Sequence, residues 1–446
     1  MTGIASDIAH LRQAFREGLS PVDALRELLG RIAADTRGIN AFVLIDEAAA
    51  MAAAEASHAR WRAGAPCGPL DGIPVSVKDM VNVAGWPTRR GSLATAQEPP
   101  AAEDAPVVEL LRRSGAVIFG KTTSTEFGWL AGCTSPFTGT TRNPHAPAHS
   151  SGGSSCGAAA QVAAGWGPLA LGTDAGGSVR IPASWCGLYG FKPTWGGIPQ
   201  APLSALGDLA HLGPLTRTLD DCIEAMGVLA QPHPRDPASL YPRGSSARPV
   251  RQLRIGHALR ARPGAWVEPA IERAFTQLLE QLGRAGFLLQ ACEIDEREAV
   301  DALWTYWKVR NLESFVDWPQ ERVQALSPEL SAFVEAGRGL SATAAAKARS
   351  CVLLMPSTPT TAPLVGEHAP RVHPQFARAQ QDGNWFFAND HAYMFNLTGQ
   401  PALSMPLGKD EAGLPFGLQV VGRKYHDADV LALAAAIDAL GDRDPS

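Results

Sequence analysis

Between residue 73 and about residue 195 the chain alternates short apolar runs with stretches of helical periodicity, and this alternation limits the fold more than any other feature. Ile73-Pro74-Val75-Ser76-Val77 reads as a strand, a helix spans 104–114, and Ala116-Val117-Ile118-Phe119 reads as the next strand. A long polar loop then leads to a helix over 155–164 and a strand at Leu169-Ala170-Leu171. Such a pattern predicts an α/β fold around a mixed or parallel sheet.

The flanking regions extend the same plan. Apolar spacing predicts helices over 4–18 and 20–34, with Ser20 as N-cap and Pro21 as first helical residue. An alanine-rich helix over 47–63 ends at the break from Pro66 to Gly72. Leu253-Arg254-Ile255-Gly256 opens a second α/β stretch, with an amphipathic helix over 268–284 and a strand near Gly286-Phe287-Leu288-Leu289. Residues 297–350 read as helical. The strand-like segments Val352 to Pro356, Pro401 to Pro406 and Gly417 to Gly422 and a helix over 427–440 close the chain. The stretch from Arg243 to Arg251 could pass for a flexible connection, and is expected instead to cross the surface of one continuous fold.

A net charge of −5, with 19% charged and 45% apolar residues, gives no reason to expect a polyphosphate partner, so nucleic-acid binding is disfavoured. No run approaches the roughly 18 apolar residues of a membrane span, and charged residues break up the first thirty positions where a signal peptide would need an apolar core. Seven scattered cysteines without C-x-x-C spacing read as reduced thiols, and the expected compartment is the cytoplasm.

The chemistry-bearing residues sit in three places. Lys78 follows the apolar strand 73–77, where strand ends meet ligand crevices; a lone lysine there is also ordinary solvated surface. Ala175-Gly176-Gly177 precedes Ser178, and a glycine pair can turn several backbone N–H groups toward one spot, as an oxyanion hole requires. The same residues would equally make a plain tight turn. Gly153-Ser154-Ser155-Cys156-Gly157 fits G-x-S-x-G, which would make Ser155 a nucleophile if a buried strand fed the turn. No strand can be read over 143–151, so Ser155 is set aside. Ala158 stands where a phosphate loop needs lysine. None of the eleven histidines sits in a setting that marks it as a base. A lysine can serve instead if burial or a nearby cation lowers its pKa from ~10.4 to about 7–8.

Taken together, three segments resemble the central motif of the amidase signature family: Gly152-Gly153-Ser154-Ser155, the run from Gly172 to Ala183, and the run from Cys186 to Thr194. Asp71-Gly72-Ile73-Pro74, Lys78-Asp79, Phe395-Asn396-Leu397-Thr398-Gly399 and the run from Gly413 to Gly422 extend the likeness over roughly 5–435, weakest from 200 to 350. The resemblance implies one amidase-signature domain over residues 1–446, a central mixed sheet with helices on both faces. The core would lie in 65–200 and 350–440 and a variable pocket region in about 200–350. It implies a Ser-cis-Ser-Lys triad, with Ser178 as nucleophile, Ser154 as proton relay after a cis peptide bond, and Lys78 as base. Backbone amides of Ala175, Gly176, Gly177 and Ser178 would form the oxyanion hole. Ser155, Thr173, Asp174 and Arg180 would hold the loops. No metal or cofactor is implied.

Cys156 and Ser151 depart from the family's usual glycine and proline, and are expected to affect pocket shape more than chemistry. The segment from Leu340 to Cys351 looks short for the family. Aromatic residues Trp304, Tyr306, Trp307, Phe315 and Trp318, with Trp385, Phe386 and Phe387, would line the pocket or pack the core; if they line it, an apolar or aryl amide is the expected substrate. A carbamate hydrolase and a glutaminase-type subunit of a transamidation complex are the alternatives. The expected partner is a small amide or carbamate, and a homodimer is left open.

Overall fold

The computed structural model describes residues 7–240, 247–294, 297–336, 353–367, 373–376 and 388–440. Among these residues, eleven strands form one sheet. In chain order they are β1 (Phe42–Ile45), β2 (Pro74–Lys78), β3 (Val117–Thr122), β8 (Leu169–Asp174), β9 (Tyr189–Lys192), β10 (His211–Thr216), β11 (Arg254–His257), β12 (Leu288–Ala291), β13 (Leu353–Pro356), β14 (Ala402–Lys409) and β15 (Pro415–Val421). Four short strands make two hairpins outside it: β4 (Thr134–Ser135) with β5 (Gly139–Thr140), and β6 (Arg142–Asn143) with β7 (Ala146–Ser150).

The sheet runs β1-β3-β2-β8-β10-β9-β14-β15-β13-β11-β12 and is mixed. Strands β3, β2 and β8 are parallel, as are β13, β11 and β12, while the pairs from β8 through β10, β9, β14 and β15 to β13 are antiparallel. Strand β10 escaped the sequence reading because Gly213 and Pro214 interrupt it, and proline argues against a central strand. Here Gly213 is needed, since a Cβ would sit 2.1 Å from the Phe191 carbonyl oxygen.

Helices cover both faces, and the strand period decides which residue meets which. Leu169 and Leu171 of β8 enter the large core with α1 (Ile8–Arg16), α2 (Pro21–Ala33), α4 (Pro106–Arg113), α7 (Leu219–Leu229) and α8 (Pro269–Arg284). Ala170 faces the other way, into a smaller cluster under α5 (Cys156–Ala163) and α6 (Arg180–Trp185). Helix α3 (Glu47–Arg62) is capped by Asp46, whose carboxylate accepts from the Ala49 N–H at 2.9 Å, and Ser20 caps α2 in the same way through Val22 at 3.2 Å.

The 297–350 region resolves over its described part into α9 (Arg297–Phe315), α10 (Gln320–Gln324) and α11 (Pro328–Glu335); the segment 340–351 lies outside the described residues. Helix α12 (Met394–Leu397) and α13 (Asp427–Asp438) complete the order. The described part of the connection 243–251 is tied down, with Arg248 forming an ion pair with Asp429 of α13 at 2.8 Å. Among the described residues no helix is long and apolar enough to cross a membrane, and the six described cysteines are unpaired.

Candidate active site

The alternation in β2 separates an apolar face from a polar one. Val75 and Val77 enter the large core, and each such burial contributes about 1.5–3 kcal/mol. Ser76 and Lys78 therefore point to the α5 side, where the Ser76 hydroxyl donates to Gln161. Lys78 is fully buried there. Its Nζ donates to Ser154 Oγ at 2.7 Å, Thr173 Oγ1 at 2.7 Å and Ser155 Oγ at 3.0 Å. Burial away from water pulls its pKa from the usual lysine range down to about 7, against weaker pulls upward from Cys156 and Asp174. Solvated strand-end lysine is thus the wrong description.

The serine loop is pressed against its surroundings. The Gly153–Ser154 peptide bond is cis, as the family resemblance implies. A Cβ at Gly153 would lie 1.8 Å from the Gly132 carbonyl oxygen, so only glycine fits. Strand β7 does run into this loop, contrary to the sequence reading; its run of Pro, Ala and His carries no alternation, and it pairs only with β6 in a partly exposed hairpin. Even so, Ser155 has its hydroxyl committed: it donates to the Thr173 carbonyl at 3.1 Å and accepts from Lys78 and the Thr173 N–H.

Strand β8 carries the third segment in and is longer than expected, so that Thr173 and Asp174 are strand residues and the turn starts at Ala175. Asp174 and Arg180 are both fully buried and pair in bidentate fashion, Nε to Oδ2 and Nη2 to Oδ1, each at 2.9 Å. The guanidinium holds the Asp174 carboxyl far below the usual carboxylate range, against a burial penalty that acts the other way. Asp174 also accepts from the N–H of Gly177 at 2.8 Å and Val179 at 3.1 Å. Of the four amides expected to form the oxyanion hole, the Gly177 N–H is thus already taken by a carboxylate. Gly177 matters sterically instead, with φ +106° and Ala392 Cβ 2.7 Å from where its own Cβ would stand.

Two residues that hold this turn had no assigned role in the sequence. Asn396 of α12 donates to Asp174 Oδ1 at 2.9 Å and accepts from Arg180 at 2.6 Å, and Gln419 of β15 accepts from Arg180 at 2.7 Å. Asn396 and Gln419 both lie in segments noted for their family likeness, the one signal that could have found them. Next to Lys78, Asp79 forms a buried ion pair with Lys121 of β3 at 2.9 Å.

Ser154, Thr173, Asp174, Ala175 and Ser178 line one cavity of about 420 Å³. The Ser178 hydroxyl makes no hydrogen bond among the described residues, to Ser154 or to any other group. The outer wall comes from the loop 200–206, Phe127, Arg90, Glu98, and Phe315, Trp318 and Arg322 of the α9–α10 region. The aromatic cluster therefore divides. Phe315 and Trp318 line the cavity with Phe127, whose ring meets them edge-on at 4.9 and 5.6 Å. Trp307 is fully buried and donates to the Trp129 carbonyl at 3.3 Å, and Trp304 packs on Phe333; both belong to the core. Tyr306 reaches Asp208 at 3.3 Å and does not line the cavity; Trp385, Phe386 and Phe387 lie outside the described residues. Cys156 and Ser151 do not shape the cavity either. Both are buried, with Cys156 Sγ 3.7 Å from Thr123 Oγ1 and Ser151 donating to the Thr141 carbonyl at 3.2 Å.

Known proteins resemble this chain over most of its length. A family model described as Amidase matches residues 23–318 and 338–431. The chain is 32% identical to an acylamidase of Rhodococcus erythropolis, over 95% of this chain and 92% of the relative. It is also 32% identical to a glutamyl-tRNA(Gln) amidotransferase subunit of Roseiflexus castenholzii, over 98% and 96%. Among solved structures it is similar to a bacterial aryl acylamidase of the amidase signature family, with TM-score 0.86, 26% identity and coverage of 98% of this chain and 96% of that one. A full-length sequence match, an 11-stranded mixed sheet and a buried lysine against paired serines converge, and the chain belongs to the amidase signature family.

Proposed function

We propose that the chain is an amidase that hydrolyses the C–N bond of a small apolar or aryl amide through an acyl-enzyme on Ser178, with Ser154 as relay and Lys78 as base. The observation that carries this is the fully buried Lys78 amine, with a pKa near 7, 2.7 Å from the hydroxyl of Ser154 at the floor of the cavity that Ser178 lines. Ser178 Oγ attacks the carbonyl carbon while its proton passes to Ser154 and the Ser154 proton passes to neutral Lys78. The N–H groups of Ala175, Gly176 and Ser178 stabilise the oxyanion. Lys78 returns the proton through Ser154 to the departing amine. Water then attacks the acyl carbonyl, gives its proton to the same path, and releases the acid and free Ser178.

The whole chain works as one catalytic unit on this reading, its core in 65–200 and 350–440 and its pocket wall in 200–350. Phe127, Phe315 and Trp318 support the aryl preference, because together they offer flat apolar surface within the same cavity. The test is a panel of aryl amides, primary amides, carbamates and glutamine with the purified wild-type chain and Ser178→Ala. Turnover of aryl amides should be strong in wild type and lost in the variant; full activity in Ser178→Ala would sink the assignment.

The likeness to the amidotransferase component favours a second reading, a glutaminase-type subunit that needs a complex. The same panel separates the two, since a protein of that kind, purified without its complex, would leave the aryl amides largely uncleaved.

A further inference from the structure

Three charged residues of the outer wall are not used by the mechanism. Arg90, Glu98 and Arg322 line the same cavity as Ser154 and Ser178. Arg90 Nη1 donates to Glu98 Oε2 at 2.7 Å, and Arg322 Nη2 pairs with Glu98 Oε1. Each carboxylate oxygen thus faces a guanidinium. Arg90 Nε and Nη2 and Arg322 Nη1, by contrast, make no hydrogen bond among the described residues. Two guanidiniums against one carboxylate leave a single net positive charge. The cavity's remaining carboxylate, Asp174, is neutralised by Arg180, and the nearby Asp79 by Lys121.

The cluster is held in place. Arg90 has φ +50° and Phe127 φ +47°, both in the left-handed region that such residues seldom enter. They are tied to one another, the Phe127 N–H donating to the Arg90 carbonyl at 2.8 Å, while the Arg90 N–H donates to the Asp79 carbonyl at 3.1 Å. Arg322 donates from Nε to the Ala94 carbonyl at 3.2 Å, and its guanidinium lies 3.6 Å from the centroid of the Trp318 ring. Residual N–H donors of two fixed guanidiniums beside an aromatic surface suit an anion joined to an aryl ring.

We propose that this wall selects aryl amides carrying a carboxylate or sulfonate away from the scissile bond, with Arg90 and Arg322 attracting the anion and Glu98 limiting their strength. The inference rests on the cavity being the amide site, and adds the charge of the substrate to that reading. A cationic amide would meet two guanidiniums and a carboxylate whose charge both of them already offset.

The test uses three matched anilides with one acyl group and a para carboxylate, methyl or aminomethyl substituent. Binding is measured by calorimetry on Ser178→Ala, and turnover on wild type. The carboxylate compound should bind about tenfold more tightly than the aminomethyl compound, with the methyl compound between, and salt should shrink the gap. Glu98→Gln should widen the gap and Arg322→Gln narrow it. Tightest binding of the methyl or aminomethyl compound, or an equal shift of all three in both variants, would overturn the proposal. Undiminished turnover in Ser178→Ala would overturn the nucleophile assignment instead, and the order of binding still decides the charge selection by itself.

Discussion

The floor and the outer wall of the cavity are built on different principles. On the floor, Lys78, Ser154, Ser155, Asp174 and Arg180 are all buried, and each is held by short bonds to groups that are themselves held. On the wall, Arg90, Glu98 and Arg322 keep roughly a third of their side chains in solvent, and Trp318 is half-buried. A buried polar network tolerates no missing member, whereas a partly solvated one loses little when one member goes. The floor should therefore respond to substitution in rate and stability, and the wall in selectivity.

The largest expected effect is on the floor. Lys78→Ala should lower kcat/KM by about 10⁴-fold or more while the protein, though less stable, remains folded, because on the proposed mechanism the amine is the base. Circular dichroism beside the kinetics checks this. A loss of only tenfold would mean that another group takes the proton and that the floor is less exclusive than its geometry suggests.

Next is Arg180→Met, which leaves the Asp174 carboxylate buried without its cation and Asn396 and Gln419 without their donor. Breaking such a pair typically costs about 3–5 kcal/mol, and the denaturant midpoint should fall accordingly. Activity should fall with it, since Asp174 positions the Gly177 turn before Ser178. An unchanged midpoint would place Arg180 among the wall-like residues.

A smaller effect comes from pH. Burial puts the Lys78 pKa at about 7, so the charged form dominates below that value and the basic form above it. The rate constant kcat/KM should rise about tenfold per pH unit below pH 7 and level off above it. A profile flat from about pH 5 to 9 would exclude Lys78 as the base.

On the wall, Trp318→Ala should raise KM for aryl amides about five- to tenfold through lost apolar contact, with kcat nearly constant and small aliphatic amides unaffected. A matching fall in kcat would show that the wall also positions the scissile bond.

The same division decides what could be read from the chain. The floor is local in sequence: the Val75-Ser76-Val77-Lys78 alternation places the amine on one face, and Asp174 and Arg180 flank a single glycine turn. Its long-range supports were not legible, since Asn396 and Gln419 lie 216 and 239 residues from Arg180 and only the folded sheet brings them there. Strand β10 hid behind Gly213 and Pro214. The wall draws Phe127, Phe315 and Arg322 from three unrelated segments, and no spacing announces a contact of that kind. Even on the floor, the glycine turn showed that N–H groups gather but not that Asp174 takes one of them.

Cys156 supplies the smallest effect and the sharpest boundary between the two regions. It sits at the first position of α5, fully buried, close enough to influence Lys78 electrostatically, yet it does not line the cavity. Burial pushes its thiol above the ordinary cysteine range, so it stays protonated at neutral pH and is neither nucleophile nor base. Its contact with Thr123 is a weak one at 3.7 Å. Cys156→Ala should therefore keep kcat/KM within about twofold, at a stability cost of roughly 1 kcal/mol for the lost sulfur contacts. A fall approaching that of Lys78→Ala would mean that the thiol tunes the amine through the packed interior.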